Sequence, residues 1–239
     1  MTHAKTEKLW SFTIKATFVE ILEDNIKDLL ISMNMKGSRK NATRKTRKAL
    51  TIMQDSRAKT YVSNATEITF DTNNSENGLA QLQEIIAAAQ VTRAAARTEK
   101  NTSSSRSHAV FRVSISRRQE DTKLSLDGAL YICDLAGTEE ENFKDEQRSR
   151  QKSAINRHLH QLRNVLLHLA NKERVPSYRG SKLTHMLQDC LCVGAKVLMI
   201  FNLSPAPERL KQSLYTLEQC VSVEKVQPGK AKKDVKTGT

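Results

Sequence analysis

Strand-forming and helix-forming segments alternate along this chain, and that alternation limits the available folds more than any other feature. Ser11–Leu22 (SFTIKATFVEIL) alternates apolar and polar residues with several β-formers, which predicts a strand. DNIKDLL closes it and suggests the start of a helical turn. Leu50–Phe70 reads as a β-hairpin with ALTIM and TYVSNATEITF as its arms. Leu79–Arg97, rich in Ala, Gln and Leu and free of Gly and Pro, predicts a helix capped by Asn77. Ala109–Ser116 (AVFRVSIS) and Ala129–Leu135 (ALYICDL) read as strands, the second apolar enough to be buried on both faces. Glu139–Lys152 is charged and polar, either a loop or an exposed helical start. Ile155, Leu159, Leu162, Leu166 and Leu169 then recur at helical spacing. A short helix at Ser181–Leu191, a third buried strand at Ala195–Leu203 (AKVLMIFNL) and a last helix at Leu210–Val223 complete the pattern. The sum is an α/β architecture, a mixed central sheet flanked by helices.

Two polar clusters lie where strands meet loops. Asn101-Thr-Ser-Ser-Ser-Arg-Ser-His108 precedes a strand and offers hydroxyls, a guanidinium and an imidazole as phosphate or metal-water ligands. Asp134-Leu-Ala-Gly-Thr-Glu139 follows a buried strand, where an Asp can hold Mg²⁺ through water and a glycine N–H can meet a terminal phosphate. Each alone is a weak signal. In order, N-x-x-S-S-R-S-H and then D-L-A-G-T-E closely resemble the switch I and switch II segments of kinesin motor domains. Further segments match in sequence: FVEILEDNIKDLL, RAAARTEKN, SAINRHLHQLRNVLLHLANK (the relay helix), VPSYRGSKLTHMLQDCL and KVLMIFNLSPA. The resemblance spans residues 10–226, and VEKVQPGKAKK is similar to the tail that follows the motor in C-terminal-motor kinesins. Residues 227–239 are expected to be a disordered basic tail.

The resemblance implies roles for particular residues. Ser105 would ligand Mg²⁺ or the γ-phosphate of ATP, Ser104 would position the attacking water, and Asn101 would belong to the same nucleotide-binding set. Asp134 would hold the metal's water shell and the Gly137 N–H would reach the γ-phosphate. Arg106 would pair with Glu139 as a latch that closes only around that phosphate. Asn156, Arg157, Arg163, Tyr178, Arg179 and Lys182, with His185 beside them, would face the microtubule. The resemblance also implies a cytoplasmic, cytoskeletal setting on microtubules and the spindle, and a second kinesin subunit as a partner.

One family element is missing. A phosphate-cradling loop reads G-x-x-x-x-G-K-[ST]. The glycines stand at 37, 78, 128, 137, 180, 194, 229 and 238, and no two are five apart. The sequence is therefore expected to represent the C-terminal part of an incomplete kinesin-type P-loop fold, inactive toward ATP by itself. Either a truncated motor or a degenerate subunit acting through a partner fits. Departures from the usual pattern bear on the second: His158 for Ser, Arg163 for Gly, an inserted Ser177, Gly180 for Asp, and Cys192-Val193 for Gly-Gly.

Charge supports an acidic partner. Lys and Arg number 39 against 26 Asp and Glu, for a formal charge of +13. Lys36–Lys48 holds seven basic residues and no acid, a solvated arm. Nucleic acid is disfavoured, since no helix-turn-helix, zinc or RNA-stacking motif occurs and aromatics are 5%. Cys133, Cys190, Cys192 and Cys220 include one C-x-C pair, which reads as reduced thiols before a zinc site. No apolar run reaches signal-peptide or membrane-span length, which points to an intracellular chain.

Overall fold

A computed structural model describes residues 10–34, 48–56, 58–71, 75–98, 106–119, 124–137, 146–171, 176–192, 194–224 and 235–236. The β-rich segments form strands β1 (Trp10–Leu22), β2 (Asn25–Asp28), β3 (Thr51–Gln54), β4 (Thr60–Ser63), β5 (Ile68–Thr69), β6 (His108–Gln119), β7 (Leu124–Asp134) and β8 (Val235–Lys236). Helices are α1 (Ile31–Asn34), α2 (Ser75–Thr98), α3 (Glu146–Ala170), α4 (Lys182–Leu187) and α5 (Leu210–Glu224).

β1 is the hub of the main sheet, in the order β2-β1-β6-β7-β8 with β5 also on β1. β6 pairs with β1 from Trp10↔Gln119 to Ile21↔His108, all but its last residue. The ladders among the described strands are all antiparallel. β3 and β4 form the expected hairpin as a sheet of their own. Period-two alternation sorts the side chains of β1 and β6 onto opposite faces. Ala16 and Phe111 meet Ile85 and Ala89 of α2 on one face. Val19, Ile21 and Val110 meet Leu162, Val165, Leu166 and Leu169 of α3 and Leu183, Met186 and Leu187 of α4 on the other. The site elements are thus held in a helix–sheet–helix sandwich.

Several expectations are revised. DNIKDLL makes β2, folded back on β1 by a tight turn, and the helical turn comes only at Ile31. Asp28 secures that corner, its carboxylate accepting from Leu30 N at 2.9 Å and Thr66 N at 2.8 Å. Asn77 is not a cap, because α2 begins at Ser75; its amide instead donates to Asp71 at 3.4 Å. α3 begins at Glu146, ahead of the apolar repeat, and α4 is shorter than the sequence suggests. β7 is not buried on both faces: Leu130 and Ile132, on the α2 side, are 55% and 56% exposed. Residues 195–203 form no strand, and Leu198 and Ile200 are 85% and 76% exposed. Both segments have the composition of interior strands, but no described element covers them, and apolarity alone cannot create a covering layer. Within the tail expected to be disordered, Val235–Lys236 pairs with Ser125–Leu126 at the edge of β7.

Candidate functional site

The β1–β6–β7 register sets the geometry. Glu20 of β1 and Asp134 of β7 both lie opposite Ala109 of β6, so one row across the sheet runs carboxylate, methyl, carboxylate on the face toward α2. The small Ala109 leaves room above it, and Arg93 of α2 fills that room. Its Nη1 donates to Asp134 Oδ2 at 2.7 Å, its Nε to Glu20 Oε1 at 3.3 Å, and its Nη2 to Ser107 O at 3.3 Å. Ser107 Oγ adds a 2.6 Å bond to Glu20 Oε1. One guanidinium therefore ties together the start of β6, the end of β7 and the middle of the sheet.

His108 points to the opposite face. It is buried, and its Nδ1 accepts the Ala136 N–H at 3.1 Å, which joins the Ser-Arg-Ser-His segment directly to the Asp-Leu-Ala-Gly turn. Burial, with His158 as a nearby charge, pushes the His108 pKa down to about 3, so the ring is neutral near pH 7. Its Nε2 is shielded from water and has no hydrogen-bond partner among the described residues. The His158 ring of α3 lies 5.4 Å away, centroid to centroid.

Of the residues expected to handle nucleotide, Arg106 is buried at the start of this corner, Gly137 is half-buried one residue beyond Ala136, and Asp134 is exposed apart from its Arg93 bond. Asn101, Ser104, Ser105 and Glu139 lie outside the described residues, as does the Arg106–Glu139 latch. The donor set bears on whether Mg²⁺ and ATP fit here. Asp134 is engaged by a cation, no cluster of three metal-ligating side chains occurs among the described residues, and the sequence has no phosphate-cradling loop. The described residues include Asp134 and Gly137, expected to sense phosphate, without the groups that would bear the triphosphate's charge. By themselves they do not fit the nucleotide.

The basic face lies on α3, the following 3₁₀ turn (Tyr178–Gly180) and α4. Asn156 and Arg157 are exposed, and Arg157 Nη2 pairs with Asp24 in the β1–β2 turn at 2.5 Å. His158 Nε2 lies 3.5 Å from the same carboxylate. Burial would raise the Asp24 pKa, but the bonds from Arg157 and His158 outweigh it and hold the carboxyl below its ordinary value. Burial holds His158 low despite Asp24. Arg163, expected on the filament face, is half-buried with Nε shielded and unpartnered, and so adds little to an outward charge. Tyr178 donates its hydroxyl to Leu191 O at 2.5 Å and packs on the core, a structural clip. Arg179 is exposed and Lys182 half-buried, and both, after burial itself, depress the pKa of His185. Sequence reasoning missed Arg93, Glu20 and Asp24. A charged residue in the apolar run Phe18–Leu22, an acid in the turn after it, and an Arg in an Ala-rich helix were the available signals.

No described helix is long and apolar enough to cross a membrane. A family model described as "Kinesin motor domain" matches residues 1–226. The chain is 36% identical over 227 residues to Protein claret segregational of Drosophila melanogaster, covering 94% of this chain and 29% of that protein. It is 34% identical to the Kinesin-like protein KIFC1 of Homo sapiens, covering 89% and 32%. A solved structure of the C-terminal motor and motor homology domain of Kar3Vik1, fused to a synthetic heterodimeric coiled coil, superposes with a TM-score of 0.72 at 28% identity. The alignment covers 92% of this chain and 54% of that one. This chain thus spans about a third or less of the curated relatives' length. Together with the two joined signature segments and the helix–sheet–helix core, these matches establish that the chain belongs to the kinesin motor domain family.

Proposed function

We propose that this chain is the phosphate-sensing and filament-binding portion of a microtubule motor of the C-terminal-motor class. The observation that carries the reading is one continuous contact path. Ala136, next to the glycine expected to read the γ-phosphate, is bonded to His108; His108 rests on His158; and His158 shares Asp24 with Arg157 on the basic face. A change in phosphate occupancy at the turn would shift His108 and with it α3, a small displacement in a packed interior that can carry over distance. Arg157, Arg179 and Lys182, with Asn156 beside them, supply the cationic surface for acidic tubulin.

In this reading ATP and Mg²⁺ bind only when a phosphate-cradling loop is supplied, and the chain alone binds microtubules without turning ATP over. The Arg93 bond to Asp134 favours a second form of the proposal, a non-catalytic subunit paired with a partner motor, because the carboxylate expected to hold a metal's water shell is engaged by a guanidinium instead. On this reading the chain works on microtubules in the cytoplasm and on the spindle. Co-sedimentation with polymerised tubulin tests it. Binding without nucleotide that weakens steeply between 50 and 300 mM salt is expected, since exposed charges more than about 8 Å apart are screened at physiological ionic strength. Tubulin-stimulated ATP turnover by the chain alone would refute the incomplete-site reading, and salt-insensitive binding would refute the electrostatic one.

A further inference from the structure

The basic turn that carries Arg179 is wrapped around one side chain of α3. Gln161 Nε2 donates to Ser177 O at 2.6 Å, holding the start of the turn. At the other end, a Cβ added to Gly180 would lie 2.5 Å from Gln161 Cδ, 2.5 Å from Nε2 and 2.9 Å from Oε1. These distances are shorter than carbon contacts allow, so the Gln161 amide occupies the space that any side chain at position 180 would need. The inserted Ser177 and the Gly180 substitution, both departures from the usual motif, thereby become two halves of one arrangement. The extra residue offers its carbonyl to Gln161, and the missing side chain makes room for the amide.

The turn is separately fixed to α4. Tyr178 bonds Leu191 O, Thr184 Oγ1 donates to Tyr178 O at 2.6 Å, and Ser181 Oγ accepts from Thr184 N at 3.1 Å as the helix N-cap. Between these anchors, Arg179 is exposed and Lys182 half-buried, and neither forms an ion pair among the described residues.

We propose that Gln161 is a positioning residue for filament binding: it locks the 177–180 turn to α3 and so sets Arg179 and Lys182 in register with Arg157. The inference rests on the microtubule-binding reading above. The lock makes two scattered positive patches into one surface with fixed spacing, and fixed spacing lowers the ordering cost when a charged surface docks.

The test uses the full chain and polymerised tubulin, with four variants: Gln161→Ala, Gly180→Ala, the double of these, and Arg179→Ala/Lys182→Ala. Gln161→Ala and Gly180→Ala should each weaken binding about fivefold, the order expected when one or two surface charge contacts are misplaced. The double should bind no worse than Gln161→Ala, because the methyl at 180 then has space. Unfolding midpoints within about 2 °C of the parent separate misplacement from general loosening. Effects of the two single changes that multiply, or a Gln161→Ala variant that binds like the parent, would overturn the lock. If Arg179→Ala/Lys182→Ala also binds like the parent, the turn is not a filament contact and the underlying reading fails with it. If that variant binds weakly while Gln161→Ala does not, only the lock fails.

Discussion

Removing Arg93 should expose how unequally its two carboxylate partners contribute. In Arg93→Ala, Asp134 is left with a side chain 71% exposed, and water replaces the lost bond at little cost. Glu20 is different: its side chain is 7% exposed, and Ser107 Oγ stays as its donor. Breaking one half of a buried ion pair costs about 3–5 kcal/mol, because the other charge stays desolvated and uncompensated. The 3.3 Å separation and the surviving Ser107 bond place this case at the lower end, about 3 kcal/mol. With a urea slope of about 3 kcal/mol/M, the unfolding midpoint followed by circular dichroism should fall by about 1 M. Adding Glu20→Gln to Arg93→Ala should restore most of it, since a neutral amide carries no buried charge. Asp134→Ala alone should cost under about 1 kcal/mol. A loss under 1 kcal/mol for Arg93→Ala, or no recovery in the double variant, would refute the assignment of the energetic weight to Glu20.

Four further outcomes rest on the packing, the exposed apolar residues and the titratable groups. Leu183, wholly buried between α3 and the sheet, should lose about 2–5 kcal/mol on Leu183→Ala, measured by the same denaturation. His108 and His158 both have folded pKa values depressed below 6.5, so the unfolded chain binds more protons and stability falls as pH drops through 6.5 toward about 3; His158→Gln should flatten the upper part of that decline. The depressed Asp24 carboxyl contributes stability above pH 3.8 that is lost as pH falls below it, and the part of the acid decline that Asp24→Asn removes in a denaturation series separates it from the histidine effect. Leu198→Lys and Ile200→Lys should change stability by under about 0.5 kcal/mol and reduce light scattering in concentrated solution, since both side chains already face solvent; unfolding of either variant would show that the segment is buried after all.

The two signature segments and the amphipathic helix were legible in the residues because they depend on local order. A chain reads as strand when side chains alternate about every second residue, and as helix when apolar positions return every three to four. Those periods place Phe111 and Val110 on opposite faces and bring Leu162, Val165 and Leu166 onto one. The Ser-Arg-Ser-His and Asp-Leu-Ala-Gly runs are contiguous, so no folding is needed to see them. The ends of elements were harder. Asn77 has the chemistry of a cap, but a helix continues wherever neighbouring packing sustains it, and α2 begins two residues earlier.

Sequence alone therefore determined most of the elements, their order and the identity of the two polar loops, though not the strand Asn25–Asp28 or the lack of one over 195–203, because backbone propensity and side-chain period act within a few residues. Tertiary structure alone decided which distant charges share a site. The separations of 73 positions from Glu20 to Arg93 and 41 from Arg93 to Asp134 vanish only when strand register sets both carboxylates beside Ala109 and α2 lays a guanidinium across them. Exposure was likewise undecided by composition. Leu198 and Ile200 are as apolar as any core residue here, yet they face water, since burial belongs to the pair of surfaces that meet and not to either one.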